Sequence, residues 1–266
     1  MINAEKQGLS SFLYSLGSLL FARHCLLCRH PAGSPFFSLP SPSAYTPFLC
    51  SECASSFKAI TRPVCKKCGY PGCGDTTKVM SPIREKQACV LQPRGIGHHV
   101  ALIRSGFHYE GMMMELIHRW KYQQRHLLFP LVKRLVETTM ECWGADFHDV
   151  DMVVAVPLAA ADWRARGFNQ ALVIASRCAL YLGKPLKKRL LVKTRKTPKQ
   201  AGLHRSSRMI NLDGVFSLGR SADLAGKTIM LCDDVMTTGS TLAVAADTLL
   251  QSGARAVKCF TLCRVL

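Results

Sequence analysis

The sequence lacks long hydrophobic runs and is short of acidic residues. No apolar stretch reaches the roughly 18 residues that a membrane-spanning helix needs, so we expect a soluble chain with no membrane span. The apolar stretch 9–22 has no small-residue cleavage site after it, which favours a short amino-terminal helix over a signal peptide. Asp and Glu number 17 against 35 Lys and Arg, and the net charge of +18 predicts attraction to polyanions. The lysine-bearing Walker A loop is also missing, which disfavours an ATPase.

Cysteine, by contrast, is abundant, with 13 residues. Three pairs have a spacing of two intervening residues: Cys25/Cys28, Cys50/Cys53 and Cys65/Cys68. This spacing is typical of metal thiolates rather than disulfides, and it indicates a reducing cytoplasm. Eight of the cysteines lie in the first 95 residues, which contain no long periodic segment. We therefore expect a metal to hold this region together.

Two such pairs supply the four thiolates of a tetrahedral zinc site. The predicted ligands of the first site are Cys25, Cys28, Cys50 and Cys53. The available partners of Cys65 and Cys68 are Cys73 and Cys89, although a cross-braced pairing fits the spacing equally well. The spacing thus predicts one zinc and leaves a second open; reduced cysteines without metal are the alternative.

The pattern changes from His99 onward, where apolar runs alternate with helical periodicity. This alternation predicts an α/β domain with a mostly parallel sheet flanked by helices. The predicted strands are 101–109, 152–156, 190–192, 228–232 and 256–265, and the predicted helices are 111–121, 127–143, 168–182 and 239–251. In the helix 111–121, Met114, Ile117, Trp120 and Lys121 recur at helical spacing, and we expect its three consecutive methionines to fill the core. We expect two units, a cysteine-rich zinc-binding region with a short amino-terminal helix over residues 1–95 and the α/β domain over residues 96–266.

Polar residues follow the predicted strand 228–232 directly. They are Asp233 and Asp234, then Thr237, Thr238, Gly239, Ser240 and Thr241. Ligands of open α/β sheets bind beyond the carboxyl ends of the strands, and hydroxyls with backbone N–H groups at a helix start hold phosphate. Two carboxylates would repel that phosphate unless they accept hydrogen bonds from sugar hydroxyls or help to hold a cation. The pattern predicts a sugar phosphate site; the alternative is a helix cap and a turn.

A second candidate segment is the stretch 161–170, which follows the strand ending at Pro157. We interpret it as a loop at the same edge of the sheet as the aspartates. Arg164 and Arg166 suit a pyrophosphate, because guanidinium groups pair bidentately with phosphate oxygens. The alternative is a solvated surface turn.

A basic stretch lies between Lys184 and Arg208, with ten basic residues and no acidic one. Its centre contains proline, glycine and polar residues and little apolar periodicity, which is typical of a loop. Such a loop can close over a charged substrate or follow a nucleic-acid backbone, and a loop that only aids solvation is the alternative.

The run from Asp233 to Thr241 resembles the phosphoribosyl pyrophosphate motif of type I phosphoribosyltransferases. The resemblance implies that Asp233 and Asp234 contact the ribose hydroxyls and that Thr237, Thr238, Gly239, Ser240 and Thr241 surround the 5′-phosphate. Three further features accompany this run. They are the segment 166–170 with the sequence Arg-Gly-Phe-Asn-Gln, the residues Gln200, Arg208, Asn211 and Phe216, and the paired cysteines.

Together these features resemble the ComF/GntX family of competence-associated, phosphoribosyltransferase-like proteins. The resemblance implies a role in the uptake or use of incoming single-stranded DNA in bacteria, a zinc-binding amino-terminal region, and contacts with competence-machinery proteins. The gap between Cys28 and Cys50 is long for that family, which puts the second metal site in question.

Two functional hypotheses result. In the first, the chain binds phosphoribosyl pyrophosphate or a nucleotide with magnesium, and transfer occurs at the anomeric carbon with Asp233, Asp234, Arg164 and Arg166 in the catalytic site. In the second, the same fold is a non-catalytic, zinc-containing adaptor that binds single-stranded DNA. The sequence offers no obvious general base, so turnover stays open.

Overall fold

The computed structural model describes residues 24–30, 48–71, 100–122, 125–194, 214–219 and 223–266. The strands, in chain order, are β1 (Leu102–His108), β2 (Met152–Ala155), β3 (Leu191–Lys193), β4 (Phe216–Leu218), β5 (Thr228–Met236) and β6 (Ala256–Arg264). The α-helices are α1 (Ser51–Ser55), α2 (Gly111–Tyr122), α3 (Arg125–Trp143), α4 (Ala160–Arg166), α5 (Gln170–Leu182) and α6 (Ser240–Gln251), and a 3-10 turn spans Gly144–Phe147.

The centre of the molecule is a four-stranded parallel sheet in the order β1-β6-β5-β2. Its strands are almost continuously apolar because helices cover them: α5 packs on β2 and β5, α3 packs on α5 and β1, and α6 packs on β5 and β6. The two short strands β3 and β4 form a separate antiparallel pair. The predicted parallel sheet flanked by helices is confirmed.

Two predicted boundaries were wrong, and both lie at the candidate site. Strand β5 does not stop before the acidic pair but continues to Met236, because β6 still offers pairing partners: Asp233 lies opposite Thr261, and Met236 lies opposite Arg264. The segment after Pro157 is not an open loop but begins with helix α4. A smaller error concerns α2, where Met113 is buried and the predicted core residue Met114 is exposed.

The cysteine-bearing segments pack on the sheet and share its hydrophobic core. Residues 58–60 run along the outer edge of β1: Ile60 N donates to Gly106 O (2.8 Å), and His108 N donates to Lys58 O (2.9 Å). This contact occupies backbone groups that an exposed edge strand would leave unpaired. The predicted boundary between residues 95 and 96 and the predicted amino-terminal helix lie outside the described residues.

Three arginines of the α/β domain reinforce this packing by donating to carbonyls of the cysteine-bearing turns. Arg104 of β1 bonds Lys66 O (3.0 Å), Arg264 of β6 bonds Cys68 O (2.6 Å), and Arg119 of α2 bonds Leu27 O (2.5 Å). Arg104 and Arg264 are buried, and bonds from charged donors contribute more than neutral ones.

No helix in the described part of the chain is both long enough and apolar enough to cross a membrane.

Candidate functional site

The described cysteine pairs adopt two kinds of local geometry. At Cys25 the chain turns tightly, since Arg29 N donates to Cys25 O (3.0 Å) and Arg29 has a left-handed φ of 64°. The turn at Cys65 is the same: Gly69 N donates to Cys65 O (2.9 Å), with a φ of 65° at Gly69. Cys50 instead caps α1, and its Sγ accepts a bond from Cys53 N (3.5 Å).

Two of these pairs meet in space. The Sγ atoms of Cys25, Cys28, Cys50 and Cys53 all lie within 4.8 Å of one another, and those of Cys28 and Cys50 are 3.5 Å apart. A tetrahedral zinc with metal–sulfur bonds of about 2.3 Å places its sulfurs about 3.8 Å apart, so the cluster fits such an ion. The structure thus brings together the four ligands predicted for the first site.

Among the residues that the structure describes, no basic side chain is a cause of the pKa shifts of Cys25, Cys50 and Cys53, so nothing described there would let all four thiols ionise. Burial acts to raise the pKa of Cys25, but hydrogen bonds from the backbone of Cys28 and Cys50 outweigh it and lower the pKa to about 6. Burial and the neighbouring thiols raise the pKa of Cys50 and of Cys53. A divalent cation would supply the charge that four thiolates need.

The second predicted cysteine set is only partly described. Cys65 and Cys68 lie in the second tight turn, against Arg104 and Arg264, and are not part of the four-sulfur cluster. Their predicted partners, Cys73 and Cys89, lie outside the described residues.

The acidic pair lies in β5 at the carboxyl edge of the sheet. Successive side chains of a strand point to opposite faces, so Asp233 and Asp234 leave β5 on opposite sides. Asp233 Oδ1 accepts a bond from Asp234 N (2.8 Å), and Asp234 Oδ1 accepts one from Val235 N (2.7 Å). The other oxygen of Asp234 forms an ion pair with Lys121 Nζ of α2 (2.7 Å).

The charges near this pair perturb each other. Burial and the adjacent charge of Asp234 raise the pKa of Asp233 to about 7, although Lys121 and Lys193 act in the opposite direction. Burial lowers the pKa of Lys193 of β3, and the charges of Asp162 and Asp233 offset part of that effect. For Lys121, the attraction of Asp234 outweighs burial and raises the pKa.

The residues predicted to form a phosphate cradle lie directly after β5. Gly239 is in the left-handed region (φ 82°) and precedes α6, whose first turn has no side-chain cap. Thr238 Oγ1 and Ser240 Oγ lie 2.9 Å apart, while Thr237 and Thr241 are exposed. Ser240 N donates to Thr238 Oγ1 (3.4 Å), and the other N–H groups of the first turn, the positive end of the helix dipole and the hydroxyls beside them remain available to an anion.

The two candidate arginines have different surroundings. Arg166 is largely buried at the end of α4, lies 3.8 Å from Asp162, and stacks over the Tyr122 ring with 5.4 Å to its centroid. Its positive charge acts to lower the pKa of Lys121, against the larger effect of Asp234, and also acts to lower the pKa of Lys193. Arg166 therefore belongs to the same charged cluster. Arg164 is exposed and lies on a different face of α4, since residues two apart on a helix do not share a face.

Sequence reasoning missed Lys121 and Lys193 as members of this site. Lys121 was grouped with the apolar face of α2, and Lys193 was only one of ten charges in the basic stretch. The available signal for Lys121 was a lysine directly after the buried Trp120, on the apolar face of a helix. A lysine in such a position needs a partner, and the predicted aspartates were candidates.

Residues 169–266 match a family model described as the phosphoribosyl transferase domain. With the parallel sheet and the acidic pair before the cradle, the match defines a type I phosphoribosyltransferase-like α/β protein, which confirms the predicted fold class. Purine phosphoribosyltransferase from Pyrococcus horikoshii is a similar solved structure, with a TM-score of 0.33, 19% identity, and coverage of 51% of this chain and 82% of that chain.

Sequence relatives cover more of the chain. Competence protein ComFC of Bacillus subtilis is 31% identical over 222 residues, which are 81% of this chain and 84% of the relative. DNA utilization protein YhgH of Salmonella typhimurium is 29% identical over 245 residues, which are 91% of this chain and 97% of the relative. The chain belongs to the ComF family, and the resemblance found in its motifs is confirmed.

We expect Asp233→Asn to stabilise the protein in the absence of ligand. The pKa of an aspartate is about 3.9 in an unfolded chain, whereas the pKa of Asp233 is about 7 in the folded protein. Ionisation therefore increasingly favours the unfolded state as the pH rises from about 4 to 7, and the penalty is constant above that range. Thermal unfolding from pH 4 to 8 should show a gain for the variant that grows up to about pH 7 and then levels off.

Asp149→Asn is the matched control, because Lys258 (2.5 Å) lowers the pKa of Asp149 despite its partial burial. That variant should be neutral or destabilised at pH 8. A difference between Asp233→Asn and the wild type that does not vary with pH would contradict the assignment.

Proposed function

We propose that this protein binds phosphoribosyl pyrophosphate, or a nucleotide, with magnesium at the carboxyl edge of β5, and that it acts in the uptake or use of incoming single-stranded DNA. The proposal of a sugar phosphate site rests on one observation: the acidic pair in β5 lies directly before the amino terminus of α6, whose N-cap residue is a glycine without a capping side chain. The two features place acceptors for sugar hydroxyls beside donors for a phosphate.

The described residues suggest a division of labour in the bound complex. Asp233 and Asp234 would accept hydrogen bonds from ribose hydroxyls, and the segment 237–241 would surround the 5′-phosphate. Arg166, with Arg164 beside it in sequence, would neutralise the pyrophosphate. Magnesium, when bound with the ligand, would supply further positive charge to the pyrophosphate. Transfer at the anomeric carbon is then driven by stabilisation of the leaving group.

The role in DNA use is supported by relatives and by charge. The relatives in Bacillus subtilis and Salmonella typhimurium are named as a competence protein and a DNA utilization protein. In the described part of the basic stretch, Lys187, Lys188 and Arg189 are exposed, and the whole chain carries a net charge of +18. These charges can contact phosphates of a single strand, and proteins of the competence machinery are further candidate partners.

Zinc is the ion we propose for the cysteine cluster. Four thiolates in two closely spaced pairs are a typical structural zinc shell, and the sulfurs of Cys25, Cys28, Cys50 and Cys53 already lie together. Cys65, Cys68, Cys73 and Cys89 are proposed as a second site, since the turn at Cys65 repeats the geometry at Cys25.

The sugar phosphate proposal is tested by ligand-induced stabilisation. Phosphoribosyl pyrophosphate with magnesium should raise the thermal unfolding temperature, and a ligand at about 100 times its Kd contributes about 2.7 kcal/mol. Asp233→Ala/Asp234→Ala should abolish the rise, as should the milder Asp233→Asn. Asp247→Ala, two turns along α6 from the cradle, should retain it. An unchanged rise in both site variants would place the ligand elsewhere.

The metal proposal is tested by elemental analysis of the purified protein, which should contain about one to two zinc ions per chain. Cys25→Ser/Cys28→Ser should lose about one zinc. Cys65→Ser/Cys68→Ser should lose a further ion if the second site exists, whereas Cys142→Ser, which changes an exposed cysteine of α3, should lose none. A wild-type protein without zinc would refute the assignment.

DNA binding is tested by fluorescence anisotropy with single-stranded oligonucleotides at several salt concentrations. If about four to six lysines and arginines neutralise phosphates, the log–log slope of affinity against salt should be about −3 to −4, with little sequence preference. Charge reversal to Glu at Lys187, Lys188, Arg195 and Lys196 should flatten this slope. Equal slopes for the two proteins would mean that another surface contacts the DNA.

A further inference from the structure

Lys121 is held in place far more firmly than a surface lysine. It follows Trp120, whose side chain is fully buried, and α2 is further anchored by the buried Met113, Leu116 and Ile117. Its own side chain is 18% exposed and that of Asp234 is 12% exposed, and 2.7 Å separates Lys121 Nζ from Asp234 Oδ2. An ion pair with so little exposure interacts strongly and is little screened by salt.

This contact makes the two aspartates unequal. Both oxygens of Asp234 are engaged, one by Lys121 and the other by Val235 N (2.7 Å). Asp233 uses Oδ1 to accept the bond from Asp234 N, and its Oδ2 has no hydrogen-bond donor among the residues that the structure describes. Asp233 Oδ2 is therefore the oxygen of the pair that a ligand hydroxyl can approach without a competing donor, while each oxygen of Asp234 keeps a lone pair for one further hydrogen bond.

The charges around the pair balance within the chain itself. The neighbours that influence Asp233 or its two lysines electrostatically come from several elements: Lys121 of α2, Lys193 of β3, Asp162 and Arg166 of α4, and Asp234 of β5. With Asp233 they form, among the residues that the structure describes, a group of three acidic and three basic side chains, and because the pKa of Asp233 is about 7 this group carries no net negative charge at neutral pH. Tyr109 and Cys263 lie beside Asp234 and Lys121, and burial raises the pKa of both, so they add no charge at neutral pH. A phosphate can approach this group without meeting a net negative charge.

We propose that Lys121 is the resident counter-ion of the acidic pair: it positions Asp234, leaves Asp233 Oδ2 open to a ligand hydroxyl, and lets a sugar monophosphate bind without a divalent cation. This inference rests on the proposed sugar phosphate site and adds which group supplies the positive charge there. Lys121 acts through Asp234 and is a positioning residue. Magnesium is then required only by ligands that carry a pyrophosphate.

The test is calorimetric titration with ribose 5-phosphate, in EDTA and in excess magnesium. The wild-type protein should bind with similar affinity under both conditions, and this comparison needs no variant. Lys121→Met should weaken binding in EDTA by at least about tenfold, because Asp234 would then present an uncompensated negative charge to the phosphate, and magnesium should restore part of the loss. Lys121→Arg keeps the charge and should behave like the wild type in both buffers.

Lys133→Met, which changes an exposed lysine of α3, is the matched control and should leave both affinities unchanged. A purely structural role of Lys121 would lower the unfolding temperature of Lys121→Met but leave binding in EDTA equal to that of the wild type, and this result would overturn the inference. A wild type that needs magnesium for ribose 5-phosphate would overturn it too, while the sugar phosphate site would stand. If the wild type binds neither ribose 5-phosphate nor phosphoribosyl pyrophosphate, both proposals fail.

Discussion

The pairing of β5 with β6 continues past the apolar core, and the candidate site depends on that continuation. Because the ladder extends to Met236, the backbone fixes Asp233 and Asp234 on opposite sides of one strand. Asp234 forms an ion pair with Lys121 of α2, whereas Asp233 is influenced by the charges of Lys121 and Lys193, although the structure describes no ion pair between Asp233 and either lysine. A strand that ended at Cys232 would leave both acids on a turn, where their side chains have no fixed direction.

Helix α2 extends this arrangement to the cysteine cluster. Arg119 and Lys121 are two residues apart and therefore point to different sides of the helix. Arg119 donates to Leu27 O, between Cys25 and Cys28, while Lys121 holds Asp234. The cysteine-bearing turns are thus attached to the same helix that supplies a charge to the acidic pair. Together with the bonds from Arg104 and Arg264, this contact attaches the described cysteine-bearing turns to the α/β domain.

The sequence contained enough information to predict the parallel sheet, four of the helices that flank it and the four clustered cysteines, because each depends on local periodicity or on short motif spacing. It did not predict where β5 ends, since acidic residues disfavour strands and only the length of β6 overrides that preference. It placed all three consecutive methionines in the core, whereas Met113 is buried and Met114 is exposed, because three apolar residues in a row leave the phase of the helix undetermined. Lys121 was missed as a site residue because its partner is distant in the sequence, and periodicity carries no information about such pairs.

The excess of positive charge on the whole chain suits a polyanion. The equal numbers of described acidic and basic side chains around Asp233 and Asp234 suit a different kind of ligand. The described side chains around the acidic pair number three acidic and three basic, so they give no excess charge for a polyanion; they suit the proposed ligand, which offers hydroxyls to a carboxylate and a phosphate to backbone N–H groups. Lys187, Lys188 and Arg189 are exposed and have no acidic partner among the described residues. They lie just before β3, which carries Lys193. The DNA contact proposed above therefore involves residues only four to six positions before Lys193 in the chain. The proposed DNA surface and the proposed sugar phosphate site share this one short segment, through which a ligand at one of them can influence the other.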